Sequence, residues 1–324
     1  MYFFDIAEHP MEVKTMIILS GGTGTPKLLN GLKSIVPEEN IAVIVNTAED
    51  RWVSGNLVCP DIDTVLYTFA DLIDESKWWG IKDDTFYTHE ALKKLGYHES
   101  MKLGDQDRAT HILRSELIRD GLTLTQSTDE LRSSFRIKAK ILPMSDDPVA
   151  TMILTQEGEM HFQDFWITHK GKPEVLDVRF EGLDKAEPTP EVMNALSSED
   201  AIIIGPSNPI TSIGPILGLK GIRSMLQKKR VIAISPIIGD EPVSGPAGKL
   251  MAARGYEVSS AGVAQCYADF LDVLVVDQRD DCILPDVKVV KTDTMMSSVE
   301  RSIELARFIV GLVQSPEDNS ICGN

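Results

Sequence analysis

Short, unbroken apolar runs separated by helical periodicity dominate both ends of the chain. They lie at 16–19, 41–45, 201–204, 231–234 and 273–276, each followed by a loop and a helix-like pattern. Strands that are apolar at every position are buried on both faces, as in a parallel sheet covered by helices. The pattern predicts an α/β fold, a Rossmann-like doubly wound and mostly parallel sheet. The middle reads differently. Residues 64–134 read as mostly helical, with Ala109, Ile112, Leu113 and Leu117 forming an apolar stripe over 105–119 and Asp105 placed as its N-cap. Strand-like segments with turn signals then run over 136–181. The organisation predicted is one α/β domain over 16–315. Its core comes from 16–63 and 196–313, with a helical and β-hairpin insertion over 64–195. A closing amphipathic helix is expected over 299–313, and residues 1–15 and 315–324 are expected to be loose termini.

Composition narrows the function. A chain of 324 residues, 43 % hydrophobic and 25 % charged, is an ordinary globular protein. A net charge of −17 argues against a general nucleic-acid role, because phosphate backbones select basic faces. Four scattered cysteines without CxxC spacing suggest neither a zinc site nor a disulfide framework, which fits a reducing cytoplasm. No run approaches the roughly 18 apolar residues that would span a membrane.

Three glycine-rich loops follow buried runs. In "SGGTGTPK", Gly21, Gly22 and Gly24 permit a tight turn and a close backbone approach to a ligand. Pro26 suits the first position of the helix that follows, whose free amides favour an anion. Lys27 stands where a dinucleotide fingerprint needs glycine, and no P-loop lysine pattern is complete. "GPSNPITS" supplies Gly205, Ser207, Asn208, Thr211 and Ser212, and "SPIIGDEPVSGPAGK" supplies Ser235 and Lys249. Loops at strand carboxyl ends form the ligand crevice of an α/β sheet.

Aspartates crowd near these strand ends: Asp50 after Asn46 and Thr47, the pair Asp61 and Asp63, then Asp105 and Asp107 just after Lys102, and Asp146 with Asp147. Paired carboxylates can hold Mg²⁺ or accept a proton from an attacking hydroxyl. Asp63 and Asp105 could equally cap helices, and the 146–147 pair could simply turn the chain. His111 reads as a surface or packing residue, and the Trp78–Trp79 pair as core or interface.

Taken together, "LSGGTGTPKLLNGLK", "NTAED", "CPDIDTVLYT", "WWGIKDDT", "LGDQDRATHILR", "LPMSDDPVAT", "FQDFW", "GPSNPITSIGPILGLKGIR" and "SPIIGDEPVSGPAGKLM" resemble the 2-phospho-L-lactate transferase family of coenzyme F420 biosynthesis. The likeness runs in order from about 16 to about 277. It implies a Mg²⁺-dependent, cytoplasmic, dimeric enzyme. Such an enzyme passes a phospholactyl group from lactyl-2-diphospho-5′-guanosine to the deazaflavin Fo, giving F420-0 and GMP. Some members use an enolpyruvyl donor instead. By this resemblance Asp63, Lys102 and Asp105 face Fo. The loops carrying Gly22, Thr23, Gly24, Thr25, Lys27, Asn46, Gly205, Ser207, Asn208 and Ser212 face the donor. Asp50, Asp61 and Asp63 are the catalytic candidates, with Asp50 and Asp61 as metal ligands. The family often has Arg at 102, so Lys102 keeps the charge but not the forked geometry. The competing reading is a non-enzymatic regulator that binds a nucleotide sugar on a related fold.

Overall fold

A computed structural model of the chain describes residues 15–314. Seven strands form its central sheet: β1 (Met16–Ser20), β2 (Ile41–Val45), β3 (Lys140–Pro143), β4 (Ala201–Ile204), β5 (Arg230–Ile234), β6 (Val273–Asp277) and β7 (Lys288–Thr292). Every neighbouring pair is parallel, in the order β7-β6-β5-β4-β1-β2-β3. The α/β Rossmann-like reading therefore holds, and the central sheet is wholly parallel.

Alternate side chains of these strands enter two separate cores, which is why the runs had to be apolar throughout. Ile17, Leu19, Ile44, Ile202, Ile204 and Val231 face one core. Ile18, Val43, Val45, Ile203, Ile232 and Val275 face the other. The second core is covered by helices α1 (Gly24–Leu32) and α2 (Pro60–Phe69) and by the C-terminal helix Val299–Gln314. That last helix is the closing helix foreseen.

Between β2 and β4 lie α3 (Tyr87–Lys94), α4 (Asp105–Arg119) and α5 (Leu124–Ser134), and a three-stranded antiparallel sheet made by Ala150–Thr155, Gly158–His161 and Val175–Glu181. The hairpins predicted over 136–181 are present in that sheet, except that β3, inside the same stretch, is an edge strand of the central sheet beside β2. The termini expected to be loose fall outside the described residues, apart from Thr15.

Two local expectations need correction. The first helix starts at Gly24 with Thr23 as N-cap, so Pro26 is its third residue. Its missing N–H still costs nothing there, because the first four amides of a helix have no internal partner. Asp105 is the first residue of α4 and Gly104 its N-cap. The Asp105 carboxylate instead accepts from the amides of Tyr87 (2.9 Å) and Thr88 (3.0 Å) at the start of α3. Asp84 in turn accepts from the α4 amides of Gln106 (2.9 Å) and Asp107 (3.0 Å). Each helix start is thus capped by a carboxylate from beside the other.

Candidate functional site

The strand order reverses between β1 and β4, since successive strands proceed outward from β1 on one side and from β4 on the other. The crevice at the carboxyl ends of such a pair is where α/β sheets take ligands. Here the loop 21–25 meets the loop 205–212 across that crevice. Thr25 Oγ1 and Ser207 Oγ lie 2.6 Å apart, and Ser207 Oγ donates to the Gly21 carbonyl at 2.5 Å. Gly22 has φ of 61°, a left-handed value that favours glycine. A Cβ on Gly24 would lie 1.9 Å from the Pro206 carbonyl oxygen, so only glycine lets the two loops close.

Asp61, on the first turn of α2, ties a third loop to these two. Its Oδ1 accepts from the Gly22 amide at 2.8 Å and its Oδ2 from Asn46 Nδ2 at 2.8 Å. Asn46 Nδ2 also reaches the Thr211 carbonyl at 3.3 Å, and its Oδ1 accepts from Ala48 N at 3.0 Å. Gly22, Asn46, Asp61 and Thr211 thereby join the loops after β1, β2 and β4. Asn208 serves its own loop, its Oδ1 accepting from the Ile210 amide at 2.9 Å. The Ser212 hydroxyl lies beside Gly22.

Asp61 belongs to a crowded anionic group. Burial raises its carboxyl to about 6, against the hydrogen bonds from Asn46 and Gly22. Glu49 is pushed well up by burial and then by the charges of Asp61 and Asp50. Asp50 is pushed up mainly by burial, and its buried Oδ1 has no hydrogen-bond partner. No cation among the described residues is paired with any of the three. The orphaned Asp50 oxygen beside mutually repelling carboxylates suits a hard divalent cation, which takes oxygen ligands. The ligand atoms of Glu49, Asp50 and Asp61 do not, however, converge within 4.8 Å of one another as those of Asp63, Asp107 and His111 do. Glu49 went unrecognised in the sequence. The available signal was its place beside Asp50, directly after a strand's carboxyl end.

Asp63, two residues on, sits in an opposite environment. Arg114 Nη1 donates to its Oδ2 at 3.2 Å, Arg114 Nη2 donates to its Oδ1, and His111 Nε2 lies 3.1 Å from Oδ2. Burial alone would raise Asp63, but the Arg114 and His111 charges overcome it and hold the carboxyl at about 2. Tyr67 donates to Asp107 at 2.7 Å, and Asp107 also contacts His111 Nε2 at 3.1 Å. His111 is therefore neither a surface residue nor plain packing but a buried member of an ionic network.

Asp63, Asp107 and His111 bring one ligand-type atom each to within 4.8 Å of one another. The trio nonetheless fits a metal poorly. Arg114 already neutralises Asp63, and Tyr67 donates to Asp107, so both carboxylates are engaged without an ion. The same carboxylates raise the His111 pKa to about 9 against the effect of burial.

The remaining candidates lie apart from these contacts. Lys102 Nζ sits 4.1 Å from the centre of the Phe86 ring. Lys27 Nζ lies 5.7 Å from that of Trp78, and burial lowers its pKa. Lys249 donates to the Gly171 carbonyl at 2.6 Å, so the third loop's lysine is committed elsewhere. Trp78 packs against the second core, whereas Trp79 is exposed.

Comparison with known proteins agrees with this architecture. A family model described as 2-phospho-L-lactate transferase CofD matches residues 16–304. A curated protein of Methanosarcina barkeri named 2-phospho-L-lactate transferase is 60 % identical, over 92 % of this chain and 98 % of its own. One of the same name from Methanocaldococcus jannaschii is 49 % identical, over 90 % of this chain and 96 % of its own. The crystal structure of a UPF0052 family member from Bacillus halodurans superposes with a TM-score of 0.65 at 18 % identity. It covers 93 % of this chain and 99 % of that one, a likeness of fold.

Proposed function

Because the chain belongs to the 2-phospho-L-lactate transferase family, we propose that it transfers the phospholactyl group of lactyl-2-diphospho-5′-guanosine to the ribityl hydroxyl of Fo. The products are F420-0 and GMP, and Mg²⁺ is required. The observation that carries this reading is the crevice at the strand reversal, where Gly22, Asn46, Asp61 and Thr211 join three loops.

The donor diphosphate lies along the loops 21–25 and 205–212. The amides at the start of α1 suit an anion, whereas those of Gly22, Gly205, Ser207, Ile210, Thr211 and Ser212 are bonded within the fold. Glu49, Asp50 and Asp61 would hold the Mg²⁺. When bound, the ion neutralises charge on the diphosphate and draws electrons toward the departing oxygen.

The ribityl hydroxyl attacks the phosphorus that bears the lactyl oxygen, the bond to the bridging oxygen breaks, and GMP departs. Phosphoryl transfer of this kind requires in-line placement and charge stabilisation more than covalent help. The hydroxyl loses its proton late, once the new bond has made it acidic, so no strong base is needed. Asp63 orients the hydroxyl and takes that proton as the bond to GMP breaks. Its Oδ1 accepts from Arg114 alone among the described hydrogen bonds, which leaves a lone pair for the hydroxyl. Lys102 supplies a positive charge on the acceptor side.

We further propose a cytoplasmic homodimer. No described helix is long and apolar enough to cross a membrane. The stripe expected on α4 is exposed, with Ile112 48 % and Leu113 43 % accessible. Light scattering on the purified chain tests the assembly.

The test of activity incubates the protein with Fo, fresh lactyl-diphosphoguanosine and Mg²⁺, read by mass spectrometry. F420-0 and GMP should appear together and vanish with EDTA. Nucleotide binding without product would overturn the reading in favour of a regulator.

A further inference from the structure

Helix α3 is joined to α4 by a loop over 95–104 that includes Lys102. Half of it is open to water: Leu95 is 83 % and Tyr97 50 % exposed. In that setting the Glu99 side chain is anomalous, with no solvent exposure at all. Its carboxylate accepts from Arg108 through both fork nitrogens, each at 2.9 Å, and from Ser54 Oγ at 2.5 Å. It also lies 2.9 Å from His89 Nδ1. These partners come from three places: α4, α3 and the turn of the hairpin formed by Arg51–Val53 and Asn56–Val58.

The next anchors follow at alternate positions. Leu103 is buried with Val53 and Val58 in a small apolar cluster of its own, and Met101 packs against it. Residues 99, 101 and 103 therefore attach the loop to the hairpin. The side chain of 102, between two anchors, lies over Phe86.

We infer that Glu99 is a positioning residue for the acceptor side of the site, clamping the hairpin, α3 and α4 together so that Lys102 is presented in one place. The inference rests on the reading above that Lys102 meets the acceptor. Glu99 itself touches no substrate. Burial alone would raise its carboxyl, but the hydrogen bonds from Arg108, Ser54 and His89 more than offset that and hold it at about 2. It thus stays charged toward Arg108. A loop released from this clamp visits other positions, and apparent affinity falls by the fraction of time Lys102 is displaced.

Steady-state kinetics with Fo and donor varied separately tests the clamp in Glu99→Gln, Lys102→Ala and the double variant. Glu99→Gln should raise the KM for Fo about tenfold, the scale of one lost charge-assisted hydrogen bond. The KM for donor and kcat should stay within about twofold. In the Lys102→Ala background, Glu99→Gln should add nothing to the KM for Fo. Ser54→Ala, which removes one hydrogen bond, should shift it the same way by less, and it serves if Glu99→Gln does not fold. An unchanged KM for Fo in both clamp variants overturns the inference. So does an equal rise in both KM values with a lowered Tm, the mark of general damage. If Lys102→Ala leaves the KM for Fo unchanged, the assignment of Lys102 fails first, and the inference with it.

Discussion

Arg114 and Asp63 form an ion pair from which water is excluded: Arg114 is 0 % exposed and Asp63 4 %. The pair joins α4 to the start of α2, and Arg114 Nη1 also reaches the Leu57 carbonyl at 3.3 Å. Desolvating two charges is costly, and the pair mainly fixes the geometry of Asp63.

Removing one partner is far worse than losing both. Arg114→Met should leave the buried Asp63 carboxylate with His111 alone to balance it, lowering stability by about 3 kcal/mol, the lower end for a broken buried pair. Urea unfolding at neutral pH reads this directly. A loss below about 1 kcal/mol, the range of exposed pairs, would show that the site is wetter than it looks.

His111 makes the same network sensitive to alkali. Burial alone would lower its pKa, but hydrogen bonds and charge from Asp107 and Asp63 raise it from 6.5 to about 9. The folded state thus binds the proton more tightly than the unfolded chain. Its contribution is full below about 6.5 and is lost as pH rises through about 9, up to about 3 kcal/mol in all. Melting curves between pH 6 and 10 should show this decline, and His111→Gln should flatten it. A wild-type profile as flat as the variant's would mean that His111 is neutral in the fold.

The strands were legible because each side of the sheet needs apolar residues, so β1, β2, β4, β5 and β6 carry unbroken runs. β7, with Lys288 and Lys291 in an edge strand, lacked that signal. The run of β3, Lys140–Pro143, is short and closes on proline, so it carries no signal that separates it from the hairpin strands after it. Helix α4 misled more instructively. Its apolar stripe faces outward, while Asp107, His111, Arg114 and Ser115 face inward. Periodicity locates a helix, but here the buried side was selected by charge pairing, which hydropathy cannot see. Spacing marks the glycine loops, but Asp61 only as one of several aspartates near strand ends. Glu49 carried only the weak signal of its place beside Asp50, and Arg114 carried none, because its partner Asp63 lies 51 residues away.

The contact of the two donor loops depends on the absence of side chains. Gly24→Ala places a methyl 1.9 Å from the Pro206 carbonyl, a backbone atom that cannot rotate away. The loops must part, at a cost of about 1–3 kcal/mol. The variant should show a raised KM for the guanosine donor with that for Fo near wild type. Equal effects on both substrates would separate these loops from the donor.

Asp61 offers the sharpest separation of charge from shape. Burial raises its carboxyl from 3.8 to about 6. A raised acid is favoured in its protonated form, so without a divalent cation stability should fall as pH rises from about 4 to about 6. Mg²⁺ binding the ionised form should remove most of that fall. Asp61→Asn keeps the volume and the acceptor for Gly22, but presents an amide N–H₂ toward Asn46 or forces that side chain to turn. It also lifts one charge from Glu49, which Asp61 pushes up. At pH 7 with EDTA the variant should therefore melt no lower than wild type, while the rise in Tm on adding Mg²⁺ shrinks. Turnover should fall by about a hundredfold or more, the scale of losing one oriented charged group. Near-normal turnover with an undiminished Mg²⁺ shift would remove Asp61 from the metal site and leave it the task of joining loops.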